Sequence, residues 1–250
     1  MKTTFLKSFL FFYLVTYSLL SFAQVSPTPQ VPSSPQVNDE QLGGWYMYFW
    51  SLSQDQTESD KGRFGLQGDI QYRNWNVAGD LEQLLLRGGV TYQPANMKAK
   101  FTLGYAHITT GEFGNASDTV SENRVYQEAL IPHRLGSRIY LTHRYRYEQR
   151  QTTAEDIRTR FRYALFLNVP INRADLKQGA IYLAFYDEIF VNGEREIGGG
   201  ETVKFFDRNR AYGALGYSIT DKIRTQLGYM QQTTNTWNKG QLQLSLHQAW

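Results

Sequence analysis

The amino-acid sequence predicts an all-β protein, an antiparallel up-and-down transmembrane β-barrel of about ten to twelve strands. Three observations predict this fold class. Many short segments alternate polar and apolar side chains, the one long apolar run lies at the start of the chain, and the last segment ends on the aromatic Trp250. The mean hydropathy of -0.48 does not exclude a membrane location, because a barrel strand faces lipid with only every second side chain.

Residues 1–23 are predicted to be a signal peptide. Lys2 and Lys7 precede the apolar residues 8–22, and the small residue Ala23 precedes the expected cleavage point. The run is shorter than the about 20 apolar residues that a membrane-spanning helix needs. We therefore expect export, cleavage after about Ala23 and delivery to the cell outer membrane of a Gram-negative envelope.

Residues 24–40 are predicted to be a periplasmic linker, because they contain the Pro-rich stretch VSPTPQVPSSPQV, which cannot build a packed core. The barrel is then expected to cover residues 41–250. The chain contains no cysteine, so neither a lipoprotein anchor nor a disulfide framework is expected. Its formal net charge of +3 is too small to imply a nucleic-acid partner.

The barrel region divides into eleven predicted strands. They cover 42–52, 62–74, 80–93, 97–110, 122–133, 137–151, 155–169, 178–191, 205–219, 222–232 and 240–250. A barrel with both termini in the periplasm has an even number of strands. We therefore expect either twelve strands, with one strand missing from this division, or ten, with residues 45–52 outside the wall, and we slightly favour twelve.

The connections between these strands alternate in length. Short turns are predicted near 94–96, 135–137 and 220–221, and longer polar loops near 111–121, 192–204 and 233–239. Short turns at one end and long loops at the other are typical of outer-membrane barrels, with the turns in the periplasm.

Residues 138–150 carry the clearest alternation. Arg144, Arg146 and Glu148 share one parity, whereas Tyr145 and Tyr147 share the other. Successive side chains of a strand point to opposite faces of the sheet. Because an arginine facing lipid at mid-depth costs about 2–4 kcal/mol, the arginine parity is assigned to the lumen.

The same parity defines a basic lumen with fewer acidic partners. Its predicted basic residues are Arg63, Arg73, Arg87, Arg124, Arg144, Arg146, Arg158, Arg160, Arg162, Arg208, Arg210 and Arg224. Its predicted acidic residues are Asp69, Glu128, Glu148 and Glu188.

Two functions for this basic lumen remain open. In the first, arginine–carboxylate pairs between neighbouring strands fill a small barrel and fix its register. In the second, the cationic excess attracts a small anionic solute, as in a porin-like channel or a binding protein. Outer-membrane lipid is the expected surroundings in both cases.

The C-terminal segment is predicted to be an assembly signal. Leu242, Leu244, Leu246 and Trp250 share one parity of an amphipathic strand. A terminal aromatic on such a strand resembles the signal that barrel-assembly machinery recognises.

No catalytic function is expected, since the sequence contains no nucleophile motif, no metal-spaced cluster and no phosphate loop, and we expect no metal or cofactor. The alternative is a lipid hydrolase or deacylase at the barrel rim, because His107 lies near Thr109, Thr110 and Ser117. A further alternative is a structural or surface-interaction barrel that acts through the loops at 111–121 and 192–204. Residues 118–120, Asp-Thr-Val, also resemble a short O-glycosylation acceptor centred on Thr119.

Several segments together resemble one protein family. They are LGGWYMYFW, GDIQYRNW, LEQLLLRGGVTY, FTLGYAHITTGEF, ENRVYQEALIP, LTHRYRYEQR, FRYALFLNVPIN and FDRNRAYGALGY. In order and spacing they resemble the bacterial domain of unknown function 2490, from about Gln41 to Trp250. The resemblance implies an outer-membrane β-barrel without an established biochemical role. It implies recurring positions without roles at Arg73, Arg87, Arg144, Arg146, Arg160, Glu188, Asn209 and Arg210.

Overall fold

The computed structural model describes residue 37 and residues 40–53, 62–114, 119–152, 157–198 and 200–250. These residues form eleven strands. The strands are β1 (Gly43–Ser53), β2 (Arg63–Asn74), β3 (Leu81–Gln93), β4 (Lys100–Gly111), β5 (Thr119–Leu135), β6 (Ile139–Thr152), β7 (Arg158–Pro170), β8 (Ile181–Asn192), β9 (Phe206–Ser218), β10 (Ile223–Thr234) and β11 (Asn238–Ala249). Within the described ranges, no helix has the length and apolar character needed to cross a membrane.

The strands close into a barrel, which confirms the prediction of an all-β, largely antiparallel β-barrel. Each strand pairs with the next along the chain in antiparallel fashion, and β1 closes the barrel by pairing with β11. This last pair is parallel, with Gly43 opposite Gln241 and Ser51 opposite Ala249. In the part of the chain that the structure describes, the even strand number that we expected is therefore wrong. When every connection reverses direction, an odd number makes the first and last strands run the same way.

The parallel closure gives the barrel two distinguishable ends. We call the end where β1 and β11 begin the lower end, and the end where they finish the upper end. The predicted separation of short turns from long loops holds only in part. The connection 193–205 at the lower end is long as predicted, but 235–237 at the same end is short, and 171–180 at the upper end spans ten residues.

Alternation along the strands separates an apolar outer face from a polar interior. On β11, Leu242, Leu244 and Leu246 are exposed, whereas Gln243 and Ser245 between them are buried. Trp250 follows on the outer side and is 49% exposed. The amphipathic pattern of the last segment therefore corresponds to the two faces of a wall strand.

Two glycines make room for tyrosine rings on the interior face. Gly104 lies opposite Tyr126 on β5, and Gly216 lies opposite Tyr182 on β8. A Cβ atom at either glycine would lie 2.2 Å from the facing ring. Glycine is therefore required where these strands carry an inward tyrosine.

The N-terminal predictions lie outside the described residues. They are the signal peptide 1–23, its cleavage after Ala23, and most of the linker 24–40. Asp118 of the Asp-Thr-Val motif, the rim candidate Ser117 and Gly199 of the long loop also lie outside, whereas the predicted acceptor Thr119 is the first residue of β5.

Candidate functional site

The arginines predicted for the lumen lie on the interior face of their strands, and most of them meet a carboxylate. Those with an acidic partner at ion-pair distance are Arg87, Arg124, Arg144, Arg146, Arg160, Arg162 and Arg208. The predicted acidic residues Asp69, Glu128, Glu148 and Glu188 all take part in these pairs.

Three arginines and three glutamates form a closed cycle, which we call the charge ring. Its members are Arg144, Arg146, Arg162, Glu128, Glu148 and Glu188, which lie on β5, β6, β7 and β8. Arg162 lies 2.5 Å from Glu148 and 2.7 Å from Glu188, and Arg144 lies 2.5 Å from Glu188. Arg146 lies 3.8 Å from Glu148, and Arg144 lies 3.9 Å from Glu128. The close Arg146–Glu128 pair completes the cycle. Charges of opposite sign thus alternate around the ring, which offsets the cost of removing them from water.

The network continues from the charge ring towards the lower end. Arg160 bridges Glu148 at 2.6 Å and Asp207 at 2.8 Å. Glu122 accepts from Arg124 at 2.7 Å and from Arg150 at 2.5 Å. Glu148 therefore serves several guanidinium groups at once.

A separate ion pair lies on β2 and β3. Arg87 contacts Asp69 at 2.8 Å, and both side chains are almost fully buried. Gln67 on β2 reaches across the interior to Thr102 at 3.0 Å and to Glu128 at 3.1 Å. Hydrogen-bonded side chains in the interior therefore link strands that are not adjacent in the wall.

Three further predicted arginines donate hydrogen bonds to neutral side chains. Arg73 donates to Gln71 and Gln83, Arg210 donates to Gln232, and Arg63 donates to Gln93. The last two are Arg158, opposite Arg150 on β6, and Arg224, opposite Ser218 and His247.

The opposite side of the interior is built from amides and aromatic rings. Gln226 donates to the Tyr182 hydroxyl at 3.2 Å, and Gln243 donates to the Tyr186 hydroxyl at 3.2 Å. The ring of Tyr186 stacks on Tyr212 at 4.7 Å between centroids. Trp45 packs in the same buried cluster. We call this region the amide side, and the inward faces of β5 to β7 the charged side.

Strict alternation missed two interior carboxylates. Glu82 and Asp207 lie where the strand register shifts, next to Asn74 on β2 and next to Val191 on β8. A shift of one residue turns a side chain to the other face, so Glu82 is buried and Asp207 binds Arg160. By contrast, Glu122 has the same parity as Arg124, and the alternation would have found it.

Two other positions named from the sequence, neither of them predicted for the lumen, lie on the outer face. Asn209, which carried only the family resemblance, donates to Asp187 at 3.1 Å. His107 lies near the lower end of β4, where its Nδ1 is 2.9 Å from Asn123 Oδ1. The Tyr105 hydroxyl donates to the same oxygen at 2.6 Å. In the described ranges, no group of three or more His, Cys, Asp or Glu side chains could hold a metal ion.

The loop 193–205 is anchored to the barrel through one carboxylate. Glu194 accepts hydrogen bonds from the Thr159 amide at 2.5 Å and from its hydroxyl at 2.7 Å. These bonds to the charged form, with the hydroxyl bond contributing most, lower the pKa of Glu194. The loop is thus tied to the lower end of β7.

Comparison with known proteins identifies the family and no activity. A family model described as "Protein of unknown function (DUF2490)" matches residues 42–243. An uncharacterized protein of Methylorubrum extorquens is 30% identical over 186 residues, which cover 71% of this chain and 77% of the relative. No solved structure matches.

Proposed function

Because the chain belongs to the family described as Protein of unknown function (DUF2490), its own geometry has to suggest a role, and we propose an outer-membrane barrel that binds a small anionic solute in its interior. The observation that carries this proposal is the surplus of guanidinium groups over carboxylates on the interior face. The charge ring and its extension use the acidic groups, yet Arg73 and Arg210 keep only neutral hydrogen-bond partners among the described residues. Cations held behind a low-dielectric wall attract anions more strongly than cations in water.

The apolar outer face supports the outer-membrane location. Leu103, Leu215, Leu227 and Leu244 are each between 46% and 61% exposed at positions where a soluble protein would place polar groups. A lipid bilayer would cover this belt, and the closed wall satisfies the backbone hydrogen bonds that lipid cannot. Exposed Trp250 at the end of β11 fits the proposed recognition by assembly machinery.

The filled interior favours binding over free diffusion. Ion pairs run from β5 to β9, and Gln67 connects β2 to β5, three strands away in the wall. Side chains fixed in this way occupy space that water and ions would need in an open channel. We therefore expect a binding protein and not an open porin.

Two measurements test this proposal. In planar bilayers the purified protein should give no steady open-channel current, and a large ohmic current would contradict the closed interior. In isothermal titration calorimetry the detergent-solubilised protein should bind phosphate or acetate against a background of chloride. Absence of binding by both anions would overturn the binding function.

The location is tested separately by cell fractionation. The mature chain should sediment with the outer membrane, resist extraction without detergent, and migrate differently on gels before and after heating. Free solubility without detergent would contradict the membrane assignment.

The His107–Asn123 pair favours a second candidate function, a lipid hydrolase on the outer face. An amide oxygen can only accept, so the His107 Nδ1 must carry the proton, and the neutral ring keeps Nε2 as a possible base. Thr109 and Ser121 lie opposite each other one step further along the same outer face. Their hydroxyl groups are the candidate nucleophiles.

Phospholipid hydrolysis by the purified protein would test this second candidate. His107→Ala should abolish hydrolysis, whereas His143→Ala should leave it unchanged. His143 is the matched control, since it also lies on the outer face but bonds to the Tyr163 hydroxyl at 2.9 Å and not to an amide. If the wild type shows no hydrolysis, or if both variants lose it equally, the candidate is wrong.

A further inference from the structure

We infer that Arg73, Arg210 and Gln232 form a binding site for one small oxyanion of carboxylate or phosphate type near the lower end of the barrel. This inference rests on the proposed function and names its site. Arg73 lies near the end of β2, Arg210 near the start of β9 and Gln232 near the end of β10. All three positions are at the lower end of their strands, so the fold brings them to one level.

The two guanidinium groups share one aromatic ring. The Arg73 guanidinium carbon lies 3.9 Å from the centroid of Trp45, and that of Arg210 lies 4.8 Å from the same centroid. Arg73 is 5% exposed and Arg210 is 6% exposed. Two buried cations are thus held close together by contacts that leave their charge uncompensated.

Neither guanidinium has an acidic partner at ion-pair distance in the described residues. The Arg73 donors go to the amide oxygens of Gln71, at 2.6 and 3.1 Å, and Gln83, at 2.7 Å. Arg210 Nε donates to Gln232 Oε1 at 2.6 Å. The buried arginines of the charged side pair with carboxylates. Arg73 and Arg210 differ from them in having only neutral hydrogen-bond partners.

The carboxylate of Glu82 is nearby but is engaged elsewhere. It accepts from the Trp45 indole nitrogen at 2.8 Å and from Gln241 Nε2 at 3.4 Å. It acts electrostatically on Arg73 without reaching ion-pair distance. Asp69 also acts on Arg73 and Glu188 on Arg210, but Asp69 pairs with Arg87, and Glu188 pairs with Arg144 and Arg162. Against the two cations, Glu82 is then the one carboxylate among these described groups that has no arginine at ion-pair distance, which leaves a net positive charge at the level of Trp45.

Gln232 supplies an unused donor at the same place. A guanidinium can only donate, so the oxygen of Gln232 must face Arg210, and the amide nitrogen must point away from it. Gln232 is fully buried, and its Nε2 has no hydrogen-bond partner in the described structure. A buried donor without a partner is costly. An oxyanion beside Arg210 would satisfy this donor and neutralise the charge together.

The test uses the folded wild-type protein in detergent, titrated in separate experiments with inorganic phosphate and with acetate at constant ionic strength. Tighter binding of phosphate or of acetate distinguishes the two sources of the oxyanion. Arg73→Gln and Arg210→Gln should each weaken binding about tenfold or more, since each removes a charge-assisted hydrogen-bond donor. Arg63→Gln is the matched control at the upper end and should bind like the wild type.

A further variant removes the need for a ligand. Gln232→Glu places a carboxylate beside Arg210 and should abolish anion binding while the protein stays folded, as judged by its circular dichroism and heat-modifiable migration. If the wild type binds the anion and Arg73→Gln, Arg210→Gln and Gln232→Glu bind it equally well, the site is elsewhere and only this inference fails. If the wild type binds neither anion, the proposed function fails with it.

Discussion

The charged side and the amide side of the barrel fill the same interior by different chemistry. On the charged side, Glu148 and its arginines form a network of full charges on β5 to β7. On the amide side, Gln226 and Gln243 satisfy the tyrosines of β8 with neutral hydrogen bonds. Both sides have the same alternation in sequence, so polar and charged side chains alike face the interior. The difference lies in stability, since a buried charge depends more strongly on its partners than a buried amide does.

The largest difference between the two sides should be found at Glu148. Glu148→Gln removes the charge shared by Arg160 and Arg162, so these buried guanidinium groups keep only one carboxylate each, Asp207 and Glu188. We expect a loss of about 3–5 kcal/mol in the free energy of unfolding. Urea unfolding in detergent, followed by heat-modifiable migration, measures this loss.

The matched change on the amide side is Gln243→Leu. It removes only a neutral bond to Tyr186, so the expected loss is about 1 kcal/mol. Equal losses for the two variants would show that the charged side is no more dependent on its partners than the amide side.

Glycine-to-alanine changes should give intermediate effects of similar size on both sides. Gly104→Ala pushes against Tyr126 on the charged side, and Gly216→Ala pushes against Tyr182 on the amide side. We expect each to reduce the free energy of unfolding by about 1–3 kcal/mol, because the ring has to move from its packed position. Combining Gly104→Ala with Tyr126→Leu should give no further loss beyond that of Tyr126→Leu alone. An additive loss in this double variant would mean that the ring is not the cause.

The smallest effect is expected where a whole ion pair is replaced. Arg87 and Asp69 form an almost fully buried pair apart from the charge ring. The double variant Arg87→Met with Asp69→Leu should change the unfolding free energy by less than about 1 kcal/mol, because the attraction in such a pair only repays the cost of burying it. Asp69→Leu alone should be clearly destabilising. A large loss of unfolding free energy in the double variant would show that the attraction within the pair exceeds the cost of burying its two charges.

Sequence reasoning located the strands well because alternation is a local property. The residues of β6 and β7 show it almost without interruption, and both strands lie close to the predicted ranges. Glu82 and Asp207 escaped because a register shift is set by the neighbouring strand and leaves no mark on parity. The charge ring escaped for a similar reason, since Arg144 on β6 and Glu188 on β8 are separated along the chain and meet only because the pairing register places both beside the small Ala164 of β7. The alternation itself divided the sequence into eleven strands. The expected even number was wrong because it assumed that both termini lie on the same side of the barrel.

The parallel contact between β1 and β11 also determines the sidedness of the molecule. Gly43 and Trp250 mark opposite mouths, since an odd number of crossings separates them. If the barrel spans a membrane as proposed, a tag inserted directly before Gly43 and a tag fused after Trp250 would lie on opposite sides of that membrane. One tag would then face the outside of the cell and the other the periplasm, so protease added to whole cells should remove one tag and spare the other.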